Sequence, residues 1–367
     1  MKVLFLLNLP SPYRIDFLDA LSASCDLTIL FERKFASDRD AQWLAKRSEH
    51  YEMIFLKGIK SGTENAFCPS VLTYLKKNTY DLIIVGGYST PTSMLAILWM
   101  KLRKIPYILN ADGGYIKPDH IIKKTIKRFF ISGASGWICT SKTTKAYFIH
   151  YGANPNQTYI YPFSSLHEKD ILTQLPKRKE KSSAKQALNI VEDKVVLSIG
   201  QFIHRKGFDV LLNAWKGMPD DAGLYIIGDE PTAEYLNLEQ DLHLQNVHFI
   251  RFTDKQTLST YYTASDLFVL PTREDIWGLV IAEAMSFGLP VITTDQCVAG
   301  LALVDETNGA IIPSENVSIL HDRIKKALSN RKDLNKLGQN SLNKIAPYTI
   351  ENMAKAHVQI FNKLLNR

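Results

Sequence analysis

Two carboxylates eight positions apart, Asp275 and Glu283, frame the stretch Leu270 to Thr293, LPTREDIWGLVIAEAMSFGLPVIT. Glu283 interrupts an apolar helical pattern (VIAEAM), where a carboxylate is costly unless it has a partner. Between the two acids, Gly278 and Leu279 open that helical segment, and unpaired N–H groups at a helix start favour an anion. A second charged cluster, Arg205 and Lys206, stands between Gly200 and Gly207, just ahead of the apolar segment FDVLLNAW. Adjacent cations at a helix mouth suit a diphosphate: arginine offers a planar fork and lysine a point charge, each contact worth roughly 1.5 to 3 kcal/mol. A solvated basic turn is the plainer alternative.

These residues need a frame. Asp266 to Leu270 is an apolar, β-rich run that reads as a buried parallel strand. Pro271 to Trp277 reads as a loop at its carboxyl end, because Pro271 lacks a donor and polar residues follow. The helical segment offers Leu279, Ala282 and Phe287 for packing, Gly288 stops it in a left-handed conformation, and Pro290 bars continuation before the strand VIT. The order is strand, loop, helix, turn, strand, and in such sheets ligands sit beyond the carboxyl strand ends.

The same rhythm runs along the chain. Strands are expected at Val3–Leu7, Leu27–Phe31, Met53–Leu56, Leu82–Val85, Tyr107–Asn110, Trp137–Cys139 and Tyr159–Tyr161, then at Val195–Ile199, Leu224–Ile227, Val247–Ile250 and Leu267–Leu270. Helices are expected between them, at Arg14–Leu21, Pro69–Lys77, Thr92–Arg103 and Ile121–Ile131. This alternation implies right-handed βαβ crossovers and an α/β architecture of two doubly wound, Rossmann-like domains. Ser165 to Ala187, with its LPKRKEKSSAK run, breaks the apolar rhythm and reads as the domain joint. Neither a G-x-G-x-x-G nor a Walker sequence follows the first strand, so there is no dinucleotide or ATP fingerprint.

Trp277, Gly278, Glu283, Ala284, Met285, Gly288, Pro290 and Val291 together resemble the acidic-x7-Glu signature of the retaining glycosyltransferases of family 4. The resemblance covers nearly all of residues 194–315 and is looser before them. It implies the GT-B fold, with domains facing across a cleft: residues 1–170 for the acceptor, 171–348 for the nucleotide sugar, and a helix in 349–367 crossing back. It also implies that Lys206 holds the donor phosphates, beside Trp277, together with the N–H groups at the helix start of Gly278 and Leu279, while Arg205, by its proximity alone, would supply the charge of the family's missing Arg. Glu283 would then accept hydrogen bonds from ribose hydroxyls, and Asp275 from the transferred sugar. No metal or cofactor is expected if protein cations supply the charge, and a UDP-sugar is the favoured donor. In two places the sequence departs from the family pattern, with Asp275 where Glu is usual and Gln201 where an Arg is usual. Those departures leave open a donor-binding but catalytically idle partner subunit, and the fold leaves open a sugar-nucleotide epimerase. A glycosidase fits less well, since it needs no phosphate grip.

Composition sets the outer limits. At 367 residues, 46% hydrophobic and 22% charged, the chain is that of a globular protein with room for two domains. Its four cysteines lack C-x-x-C spacing, which points to a reducing compartment and away from structural zinc. The opening MKVLFLLNLPSP is too short to span a bilayer and reads as the first strand, so a cytoplasmic location is expected. Residues 1–166 carry 21 Lys and Arg against 12 Asp and Glu, so the basic character sits in the first half. With no recognised nucleic-acid motif, that charge suits an anionic membrane face and a saccharide acceptor that is lipid-linked.

Three stretches of that half could meet a ligand. Tyr13 and Arg14 follow the first strand, and Asn110-Ala111-Asp112-Gly113-Gly114 follows another, where the resemblance gives Asp112 a role toward acceptor or sugar. Lys117 to Ile131 (KPDHIIKKTIKRFFI) is a basic amphipathic helix with Ile122, Ile126 and Phe129 or Phe130 on one stripe. That stripe can pack on the domain's own sheet or lie on anionic lipid, and the two readings are compatible. Asp38-Arg39-Asp40 spells a D-x-D in a charged, exposed-looking segment and is taken as chance.

Overall fold

The computed structural model describes residues 1–34, 48–61 and 65–366; the D-x-D at Asp38 to Asp40 lies outside them. The chain divides into two compact units, Met1–Ser165 with Tyr348–Arg367, and Leu166–Pro347.

The first unit contains β1 (Lys2–Leu7), α1 (Pro12–Ser22), β2 (Asp26–Phe31), β3 (Glu52–Phe55), β4 (Ile59–Ser61), β5 (Asn65–Phe67) and β6 (Leu82–Gly86). It continues with α2 (Pro91–Arg103), β7 (Ile108–Ala111), α3 (Ile121–Ile131), β8 (Gly136–Cys139), α4 (Lys142–His150) and β9 (Thr158–Ile160). The expected helix at Pro69–Lys77 is instead a single 3-10 turn, Pro69–Thr73. Only Val71 of that turn is buried, so little apolar surface rewards a longer helix.

The second unit contains α5 (Arg178–Ala187), β10 (Lys194–Ile199), α6 (Phe208–Trp215), β11 (Ala222–Gly228), α7 (Ala233–Asp241), β12 (Val247–Arg251), α8 (Lys255–Ala264) and β13 (Leu267–Leu270). It ends with α9 (Leu279–Ser286), β14 (Val291–Thr294), α10 (Val298–Leu303), β15 (Gly309–Ile312), α11 (Val317–Ser329) and α12 (Arg331–Ile345). The last helix, α13 (Ile350–Leu365), belongs to the first unit and packs on α1. Its buried His357 and Phe361 meet Phe17 and Phe5 at ring separations of 4.6 and 6.4 Å.

Both large sheets are parallel, in the orders β3-β2-β1-β6-β7-β8-β9 and β12-β11-β10-β13-β14-β15. The reason lies in the strands themselves: β1, β2 and β13 bury nearly every residue, as strands covered by helices on both faces must. In the second sheet the order reverses between β10 and β13, which places the loops after these two strands side by side at a switch point.

The division between the units falls at the start of the expected joint, between Ser165 and Leu166, and much of the rest of Ser165 to Ala187 is α5, a helix of the second unit packed on α8. It shows no apolar rhythm because it buries only Ala184 and is anchored by charge. Lys181 lies 2.8 Å and Lys185 3.8 Å from Asp266, which is 7% exposed and also accepts the Val195 N–H at 3.1 Å. Removing that carboxylate takes this counterion from two lysines, which keep only backbone carbonyls among their close partners, and strands a strand N–H. Asp266→Ala is therefore expected to cost roughly 3 kcal/mol and lower the urea midpoint with unchanged slope. A midpoint equal to wild type would show the anchor to be idle.

Candidate active site

The chain after β10 turns through a short 3-10 segment, His204–Lys206, and enters α6 through Gly207. Gly207 has φ +70°, and a Cβ there would lie 2.2 Å from the Pro271 carbonyl oxygen, so the loops after β10 and β13 meet at a point only glycine allows. Buried Phe202 fixes the other end of the turn against Phe208, Tyr235 and Phe249, at 5.4 to 5.6 Å between ring centres.

The loop after β13 is laced to its neighbours on both sides. Toward β10, Arg273 donates its backbone N–H to the Arg205 carbonyl (2.8 Å), and the Thr272 hydroxyl donates to the same oxygen (2.9 Å). The Arg273 guanidinium grips both oxygens of Asp209 at 2.8 and 2.7 Å, pairs with Glu315 and reaches the His204 carbonyl. Toward β14, the Asp275 N–H donates to Gln296 O (2.9 Å), while Val298 and Ala299 donate to the carbonyls of Asp275 and Trp277. Gly278 caps α9 at φ +89°, where a Cβ would press on Cys297 Sγ at 2.9 Å.

This lacing brings the two charged clusters into contact. Lys206 Nζ lies 2.6 Å from Asp275 Oδ2, with both side chains 12% exposed. Arg205 is more open: it donates to the Glu274 carbonyl at 2.8 Å, with Asp275 Oδ2 at 3.9 Å. The other Asp275 oxygen accepts the Trp277 N–H at 3.3 Å. Trp277 itself is buried, and Gln201 is exposed on the β10 side.

Glu283 sits one helical face further along α9 and accepts a hydrogen bond from the Tyr262 hydroxyl at 3.0 Å. Burial pushes its carboxyl above the usual range, and the Tyr262 bond only partly opposes this. Tyr262, on α8, is buried and stacks on Phe287 at 5.1 Å. The helix turns Ile281, Ala282, Ala284 and Met285 to the core, while Leu279 and Phe287 are half-buried.

In the first unit, Asp112 is paired with Arg14 at 2.5 Å, joining the loop after β7 to the first turn of α1. The Tyr161 hydroxyl donates to Asn110 at 3.2 Å and lies 3.5 Å from Asp112. Burial works against the Arg14 charge, yet Asp112 and the nearby tyrosines keep the guanidinium protonated beyond its ordinary range. Beside this pair, burial lowers His357 to about 4, so the imidazole is neutral near pH 7.

Three contributors escaped sequence reasoning. Tyr262 partners Glu283 from 21 positions away, Arg273 staples the two loops, and Asp209 anchors that staple from the first turn of α6. The α3 stripe has two compatible readings, and the structure bears on the first of them. Ile121, Ile122, Ile126 and Phe129 are exposed while Phe130 and Ile131 join the unit's core, so the stripe packs at its C-terminal end and is open along the rest.

The sequence model of the family described as Glycosyl transferases group 1 matches residues 180–344. The lipopolysaccharide glucosyltransferase WaaG of Escherichia coli is 26% identical over 186 residues, about half of each chain (49% and 49%). Among solved structures, Anabaena HepE in complex with UDP superposes with a TM-score of 0.79 at 19% identity, covering 99% of this chain and 100% of that one. Sucrose-phosphate synthase from Thermosynechococcus elongatus gives 0.76 at 20% identity, covering all of both. The chain has the GT-B fold, and residues 180–344, within its second unit, match the sequence model of the glycosyl transferases group 1.

Proposed function

We propose that this protein is a retaining, family 4 glycosyltransferase that moves a sugar from a nucleoside diphosphate to a hydroxyl of a saccharide acceptor in cell-surface glycan synthesis. The observation that carries the reading is the convergence of Lys206, Arg205, Asp275 and the N-terminus of α9 at one switch point. The chemical problem is a departing diphosphate and an oxocarbenium-like sugar, so charge must be held where it develops. Lys206, Arg205 and the first N–H groups of α9 hold the phosphates. Glu283, presented by Tyr262, takes the ribose hydroxyls, and Asp275 exchanges part of its bond to Lys206 for a hydroxyl of the sugar. These protein cations supply the charge that a metal would otherwise bring.

A UDP-sugar is the donor we favour, since HepE was solved with UDP. WaaG is named for lipopolysaccharide, which supports a glycan acceptor, and we extend this to one that is lipid-linked. The exposed isoleucines and lysines of α3 support a peripheral position on an anionic cytoplasmic membrane face. Asp112 contributes to the acceptor side through Arg14.

A thermal-shift panel of UDP, GDP and ADP sugars tests the donor. A saturating donor at 100 times its Kd stabilises the native state by about 2.7 kcal/mol, seen as a melting point raised by several degrees. No shift with any of the three would overturn the reading. An idle donor-binding subunit, motivated by Gln201 and Asp275, gives the shift without transfer to an added acceptor. An epimerase interconverts the donor without one.

A further inference from the structure

The cations that face the donor ride on a turn whose own side chains do not fix it. Packing secures the two ends, Phe202 among three aromatic rings and Gly207 against Pro271, but none of His204, Arg205 and Lys206 between them is buried. Adjacent like charges also repel. Lys206 is held by Asp275, a bond that Asp275 partly gives up to the sugar in the proposed reaction. A hold that persists through binding has to come from elsewhere.

Arg273 has the contacts to provide it. Its backbone N–H and the Thr272 hydroxyl hold the Arg205 carbonyl, while its guanidinium reaches the His204 carbonyl at 2.7 Å. The same guanidinium takes both Asp209 oxygens at 2.8 and 2.7 Å, and its Nε donates to Glu315. These bonds engage four of the five N–H donors, and two carboxylates match the charge, so the group is directed at the protein rather than at a ligand. Glu315 meets it from a backbone at φ +64°, the left-handed region that is costly for a residue with a side chain. Such a conformation persists only where its surroundings enforce it.

We propose that Arg273 is a positioning residue for the donor diphosphate: it touches no substrate, and its clasp on Asp209 and Glu315 sets the turn so that Arg205 and Lys206 converge on the phosphates. Cations fixed in advance need no reorganisation as charge develops on the leaving group. The proposal rests on the nucleotide-sugar reading of this site.

Calorimetric titration with UDP and UMP, and with the GDP and ADP pairs alongside, tests it. The ratio of diphosphate to monophosphate affinity reads the phosphate grip and cancels changes elsewhere in the nucleoside site. Arg273→Lys keeps the charge and loses the planar fork; Asp209→Asn removes a negative charge and loosens the fork. Both are expected to lower the ratio at least about tenfold, the effect of misplacing a binding group. Arg323→Lys, the same change at an exposed pair with Glu306, keeps the wild-type ratio. Binding stoichiometry and circular dichroism establish that each variant is folded. With Arg205→Ala and Lys206→Ala already in place, Arg273→Lys lowers the ratio no further, because the cations it positions are gone.

A wild-type ratio in Arg273→Lys, with a raised one in Asp209→Asn, would show that net charge governs the site and would overturn the proposal. So would a full further loss in the background that lacks both cations. A wild-type protein that binds none of the three diphosphates overturns the nucleotide-sugar reading and this proposal together. Wild-type binding that neither variant alters overturns this proposal alone.

Discussion

Glu283→Gln is expected to raise the melting temperature of the unliganded protein at neutral pH, while cutting the shift that a nucleotide sugar produces to about half or less. Both effects come from one placement. The native carboxyl is raised by burial, with the Tyr262 hydrogen bond opposing, so the folded protein binds that proton more tightly than the unfolded chain does. A raised acid costs nothing below the ordinary carboxylate pKa of about 4, where both states are protonated. The cost appears as pH rises through the folded value and persists above it. Glutamine carries no such cost, and its carbonyl still accepts from Tyr262. The gain in the variant is therefore absent near pH 4 and full at neutral pH.

The second effect is on the donor. A glutamine offers one neutral acceptor where the carboxylate offers two charged ones, and charge-assisted bonds are roughly twice as strong. Donor affinity is expected to fall roughly 10- to 100-fold and kcat/KM at least about tenfold. Melting curves from pH 4 to 8, with and without donor, separate the two effects. A variant less stable than wild type at pH 7 would show that the ionised carboxylate stabilises the fold, contrary to its burial.

Lys206→Ala carries the other large effect. Its partner, Asp275, is 8% exposed, and it would keep the Trp277 N–H and the more distant Arg205 but lose the cation that lies closest to it. Truncating one member of a largely buried pair costs stability because the stranded charge stays desolvated, here roughly 2 kcal/mol. Turnover is expected to fall at least about tenfold, since the diphosphate loses a cation. The Lys206→Ala, Asp275→Asn double variant decides which loss is which. Stability should return and turnover should stay low. If turnover returns with stability, the pair only holds the loops together.

Much of this site could be read before the fold was known, and the limits of that reading are physical. The strands were legible because two-sided burial writes continuous apolar runs, as in Val3–Leu7 and Leu267–Leu270. The proximity of Lys206 and Asp275 was not, because 69 positions separate them. Their contact depends on β13 pairing with β10, which no local pattern records. Glu283 was conspicuous as a carboxylate in an apolar helix, yet its partner Tyr262 looked like any core aromatic. The joint was legible at Ser165, where the units divide, but the helix α5 inside the same stretch was not, because lysines gripping Asp266 leave the same composition as lysines in water. A helix signal was present in Glu180, whose carboxylate caps the Lys177 N–H, and charge alone obscured it.

The membership of α13 in the first unit sets an order of events during synthesis. Leu166–Pro347 is a complete α/β unit inserted between two parts of another. A ribosome therefore releases all of the inserted unit before the residues after Tyr348 exist to cover α1. Until then Phe5 and Phe17 lack His357 and Phe361, and the first unit waits with that apolar face open. Such an intermediate is a target for chaperones and for aggregation. Mutations in α13, far along the chain from the donor residues, would accordingly reduce yield more than specific activity.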